Sequence, residues 1–261
     1  MKTLLGFHLR RQLPLVIVAA LLMAGLHLGA ALLYDEGTVE AFSQARGQAP
    51  YLFSALGVLG SATLTQHLSS LLYGFLLPLM GGLVAAAIAS RLIAGKLETG
   101  EMSHYLALPV RRGSLALTLW AVLMLSMVGL SILSAALGIA VSQLLRPTQL
   151  QIGWFLWLNL GLWLVYVLTG GLCFLLSCLS ETQRSASRRA VLFFLFLLLL
   201  ALLARPREMP AFLKYLSPYS AFDHAGLAVG RLAPEGLLMP LIGLLLSLAG
   251  LRAFTARELS L

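Results

Sequence analysis

The chain alternates between long uncharged apolar runs and short segments in which the charges collect. Six runs stand out, at 13–33, 68–90, 114–145, 150–179, 190–204 and 236–254, all free of charge except for Arg252 near the end of the last. A helix needs about 20 apolar residues to cross the hydrocarbon core of a bilayer. Each run therefore predicts a transmembrane helix, and together they predict an all-α polytopic membrane protein. The third run has no charge between Arg112 and Arg146. It and the fourth exceed what a bilayer needs, which predicts tilt or projection beyond the core. The fifth, between Arg189 and Arg205, is short. It reaches about 22 Å as a helix, so its flanking arginines must snorkel.

The connections differ in character. Segment 35–67 opens with Asp35, Glu36 and Glu40 and predicts a short amphipathic helix at the outer surface. Segment 205–235 is too apolar for a plain loop and carries Pro206, Pro210, Pro218 and Pro234. Proline breaks helices into short pieces, so re-entrant or interfacial helices are expected between spans 5 and 6. Residues 1–12 hold Lys2, Arg10 and Arg11 and predict an interfacial lead-in helix. The run behind them is longer than the roughly 7–15 residues of a signal peptide's apolar region, which predicts a retained span. No repeat or linker divides the chain, so 1–261 is expected to be one membrane domain.

Lysine and arginine set the orientation. One group of connections holds Lys2, Arg10 and Arg11; Arg91, Lys96, Arg111 and Arg112; Arg184, Arg188 and Arg189; and Arg252 and Arg257. The other group holds Arg46, Arg146, Arg205, Arg207, Lys214 and Arg231. The positive-inside rule places the richer group, and with it both termini, in the cytoplasm. The four basic residues of 205–235 count against this assignment, and the other segments favour it.

Composition agrees with a membrane protein. Hydrophobic residues make up 59%, charged residues 11%, and the mean hydropathy is +0.91. Soluble domains carry about 25% charged residues. The net charge of +8 fits orientation and contact with anionic lipid. It lacks the folded basic module that nucleic-acid binding needs, so no nucleic-acid partner is expected. Cys173 and Cys178 match no redox or zinc spacing. No HExxH or GxSxG motif is present, and no Asp or Glu lies within a predicted span. That argues against a proton-coupled carrier, which commonly uses buried acids.

Within the spans, Gly25 and Gly29 flank His27 in a GxxxG spacing that lets helices approach closely. Dimer or helix packing is the favoured role, with substrate contact as the alternative. Gly226 and Gly230 repeat the spacing in the outer segment. Gln143 and Asn159 suit interhelical hydrogen bonds first and a substrate path second. Trp154 and Trp157 suit an interfacial belt.

The most informative connection is ETGEMSHYLALPVRR, at 98–112. Gly100 permits a sharp turn. Met102, Tyr105, Leu106 and Leu108 put apolar weight at helical spacing. Pro109 ends the helix, and Arg111 and Arg112 mark the membrane edge. A short helix at 98–109 results. It either closes a loop on the membrane surface or offers an apolar knob to a partner's groove.

GEMSHYLALPVRRGSL resembles the cytoplasmic motif of ABC-2 type transporter permeases, matching at Glu98, Gly100, Leu106, Pro109, Val110 and Arg112. It departs from that motif at Glu101 and Ser103. YLSPYSAFDHAGLAVGRL at 215–232 is similar to the family's Ser-Pro segment before the last span. FTARELSL and FHLRRQ resemble the family's C-terminal ending and its lead-in helix. The resemblance implies six spans, a dimer with a second copy or a related permease, and a bacterial plasma membrane. It implies docking of a separate ABC ATPase on Glu98, Gly100, Glu101, Met102, Tyr105, Leu106, Leu108, Pro109, Arg111 and Arg112. ATP and Mg would belong to that partner, with no cofactor in this chain. A Walker A loop needs GxxxxGK and then Ser or Thr. The one Gly-Lys pair here, Gly95-Lys96, is followed by Leu97. An apolar path suits an amphipathic or lipid-like substrate such as a peptide, an antibiotic or a lipid-linked molecule. The alternatives are a secondary carrier and a non-transporting anchor or regulator of a partner.

Overall fold

The computed structural model describes residues 2–58, 62–102, 112–206, 210, 212–231 and 233–256. Among them, six helices are long and apolar enough to cross a membrane. These are Leu4–Leu32, Leu76–Glu98, Arg112–Leu145, Ile152–Cys178, Gln183–Leu203 and Pro234–Ala256, the first to sixth spans. The protein is an all-α, multi-pass membrane protein.

Two spans differ from expectation for identifiable reasons. The second was expected to start near 68. Instead Leu64–Leu68 leads into a π-helical turn at Ser69–Tyr73, and a new helix starts at Leu76. Pro78 explains the break, because its ring clashes with the carbonyl four residues back, at Gly74. The fifth begins seven residues earlier than expected, since nothing in 183–189 opposes a helix and Thr182 caps it through Ser185 N. Its 21 residues span about 31 Å, so no length deficit exists. Residues 2–12 run into the first span within one helix, Lys2–Leu32, which accommodates Pro14.

The fourth span is the hub. It packs on the sixth, second, third and fifth, while the first packs mainly on the third. In a bilayer, lipid tails are as apolar as leucine, so close approach of small residues must supply the contact. The glycines show where. A Cβ at Gly81 would stand 2.0 Å from the Tyr166 ring, and one at Gly82 would stand 2.2 Å from Phe194. Tyr166 completes its contact by donating its hydroxyl to Leu77 O at 3.0 Å.

Segment 35–67 holds more than one helix: Glu36–Gln48, Pro50–Leu56 and Leu64–Leu68. Asp35 caps the first by accepting from Thr38 N at 2.7 Å. Between the fifth and sixth spans lie short interfacial helices at Leu213–Leu216, Pro218–Ala221 and His224–Leu227. The first lies on the surface, whereas the other two bury Tyr219 and His224 in the bundle. The Ser217 hydroxyl donates to Leu197 O at 2.7 Å. The Tyr219 hydroxyl meets Thr169 Oγ1 at 2.9 Å, and its ring packs edge-on against Phe194.

Candidate functional site

Antiparallel spans bring the arginine-bearing helix ends together. The start of the first span, the end of the second and the start of the fifth line a cavity of about 310 Å³. His8, Arg11, Gln12, Arg91, Lys96, Glu101 and Gln183 are among its walls. Lys96 is buried, and its ammonium lies 3.2 and 3.1 Å from Nδ1 and Nε2 of His8. An ammonium only donates, so His8 offers it a lone pair and stays neutral there.

Segment 98–102 is fastened to this end. The Glu98 carboxylate accepts from Gln183 N at 2.7 Å. Glu101 reaches Arg11 across 3.6 Å, with both side chains well exposed. Met102 is buried, and Gly100 takes φ +72°, the left-handed turn expected of it. Arg112 begins the third span and is exposed. Tyr105, Leu106, Leu108, Pro109 and Arg111, the rest of the expected docking helix, lie outside the described residues.

A second cluster is buried in the bundle. His27 Nδ1 bonds Met23 O at 2.8 Å, its ring stands edge-on to Tyr73 and Phe155, and its Nε2 has no partner. Tyr73 also stands edge-on to Phe155, and its hydroxyl faces the side chains of Ser134 and Asn159. The Tyr73 hydroxyl, Ser134 Oγ and Asn159 Oδ1 face one another, yet none of the three has a partner in good hydrogen-bond geometry. Asn159 Nδ2 bonds Phe155 O at 2.9 Å, and Ser131 Oγ donates to Asn159 O at 3.1 Å. His27 and Asn159, separate candidates in the sequence, thus belong to one neighbourhood. Gln143 is exposed on the third span and is not part of it.

The glycine candidates divide. A Cβ at Gly25 or Gly29 would meet nothing within 4 Å, so neither packs closely against another helix among the described residues. Gly226 gives room to its own cap: a Cβ there would stand 2.1 Å from the Asp223 carboxylate, which accepts from Gly226 N. Gly230 takes φ +81° against the Trp154 ring. The second GxxxG is therefore two local solutions rather than one helix–helix surface.

At the opposite end, His224 is buried between Ser69 and Arg205. Its Nδ1 lies 3.0 Å from Ser69 Oγ, which donates to His224 O at 2.9 Å. Arg205 donates to Ala55 O at 3.3 Å. Burial, with the nearby Arg205 guanidinium, pushes the His224 imidazole down to about 3. Burial likewise lowers Arg205 to about 10, with Asp223 opposing the shift. Beside this cluster, Trp157, Gly161, Phe222, Leu227 and Met239 line an apolar cavity of about 320 Å³.

No family model matches the chain, and the comparison with curated proteins finds no match. The functional reading therefore rests on architecture and local geometry.

Proposed function

We propose that this chain is the permease subunit of an ATP-driven exporter of the ABC-2 type. The arginine-rich end faces the cytoplasm, and residues 98–112 receive a separate ATPase that carries the ATP and Mg. One observation supports this most. The segment leading into the docking helix is bonded through Glu98 to the start of the fifth span, with Glu101 in a looser, exposed pair with Arg11 of the first. A push on residues 103–111 then reaches the first, second, third and fifth spans together. That is how a rigid-body switch between two states is driven.

A path opening past the buried groups His27, Tyr73, Ser134 and Asn159 would place hydrogen-bonding groups in an apolar frame. An amphipathic or lipid-like cargo fits such a path better than a small ion. The chain works as a pair of permeases, with the open Gly25–Gly29 face available to a second copy or a related chain.

The test is a gentle-detergent pull-down from the native membrane, with crosslinking and mass spectrometry. A co-purifying ATPase with a Walker A loop is expected. Tyr105→Asp with Leu106→Asp is expected to release it without loss of membrane insertion, and His27→Ala to do so far less. Absence of any ATPase after crosslinking would turn the reading toward a carrier or an anchor.

A further inference from the structure

We infer that the cavity among the first, second and fifth spans, at the arginine-rich end, binds a phosphate-bearing anion, as found on a phospholipid headgroup. Among the described residues, three cations line it, Arg11, Arg91 and Lys96, against one carboxylate, Glu101. His8, Gln12, Thr99 and Gln183 supply the remaining polar wall. Lys96 is 5% exposed, so its charge is part of the built interior rather than of a solvated surface. His8 cannot neutralise it, because it serves there as an acceptor. Gln12 is 3% exposed and its Oε1 has no donor. The other setting of that amide turns an N–H₂ group the same way.

Glu101 does not close the site. It holds Arg11 only across 3.6 Å, between side chains 59% and 42% exposed. An anion that sets two oxygens on the N–H groups of the Arg11 fork is a better partner, because bidentate charge-assisted bonds outcompete loose exposed pairs. Depth favours a headgroup. Arg11 sits two residues before the uncharged run of the first span, and Arg91 sits in the last turn of helix Leu76–Leu92. Basic pockets between transmembrane helices at this level suit anionic headgroups. Gly95 permits the shape, since a Cβ there would stand 2.6 Å from Gln183 Oε1. The site does not depend on the exporter reading and would serve equally in a carrier or an anchor.

The test uses the purified full chain without any ATPase. Native mass spectrometry after delipidation compares retention of phosphatidylglycerol with that of phosphatidylcholine. Melting temperature in sodium phosphate against sodium chloride at equal ionic strength probes the free ion. Phosphatidylglycerol is expected to be retained preferentially. Arg11→Gln with Arg91→Gln, both at exposed positions, should cut that retention about tenfold. Arg146→Gln, near the other end, should leave it unchanged. A melting rise in phosphate that the double variant loses would assign the site to the free ion as well. Equal retention of the two lipids with no phosphate effect would overturn the inference. So would a folded double variant that keeps its lipid.

Discussion

The Glu98 carboxylate stands 2.7 Å from the backbone N of Gln183, joining two connections 85 residues apart. It satisfies an N–H in the first turn of the fifth span and places negative charge at that helix's positive end. Glu98→Ala is expected to cost about 1 kcal/mol, and Glu98→Gln less, because an amide oxygen still accepts. Hydrogen exchange at the amides of 183–185 should quicken in Glu98→Ala. Unchanged exchange would show that the bond does not hold the two connections together.

Gly171 and Gly243 mark where the fourth and sixth spans cross. A Cβ at Gly171 would stand 2.1 Å from Gly243 O, and one at Gly243 would stand 2.6 Å from Val167 O. Backbone cannot step aside as a flexible side chain can. Gly171→Ala and Gly243→Ala should each cost about 3 kcal/mol, at the upper end of overpacking penalties. Gly25→Ala and Gly29→Ala meet nothing within 4 Å and should melt like the parent. Gly25→Leu then tests the open face. A lost dimer crosslink with unchanged melting would place a second copy there.

The spans were legible because charge-free length is a direct signature of a bilayer crossing. Their ends were less so. Arg184, Arg188 and Arg189 looked like a loop, yet they form the first turns of the fifth span once Thr182 caps it. Pro78 broke the second span in a way that hydrophobicity does not register. The buried clusters were barely legible. His27 and Asn159 stood out as polar residues in apolar runs, but Tyr73 and Ser134 did not. The Ser69–His224 contact joins residues 155 apart, and no local pattern announces it.

Gly138 and His27 should be energetically coupled. A Cβ at 138 would stand 2.4 Å from Phe155 Cζ and 2.9 Å from His27 Cδ2. Gly138→Ala is expected to destabilise, and His27→Ala to recover part of that loss by clearing one neighbour. A double-mutant cycle should give an interaction of about 1 kcal/mol. His27→Leu alone should melt at or above the parent temperature, because it removes an unpartnered buried nitrogen. If it loses transport or ATPase stimulation while its melting is unchanged, His27 lies on the path.

His224 gives the fold a pH dependence with a definite sign. Burial, then the Arg205 guanidinium, lowers its folded value to about 3 from the ordinary 6.5, while Asp223 offsets part of the Arg205 charge. Between those two values the unfolded chain takes up a proton that the folded chain refuses. Stability due to this group is therefore complete above about pH 6.5 and falls as pH drops toward 3, by at most about 1.4 kcal/mol per pH unit. Melting of the purified chain should decline from pH 7 to pH 5. His224→Asn leaves an amide beside Ser69 and cannot ionise, so that decline should flatten, although its melting at pH 7 is lower. An equally steep decline in the variant would move the titration elsewhere, with His67, also held low by burial, as the next residue to replace.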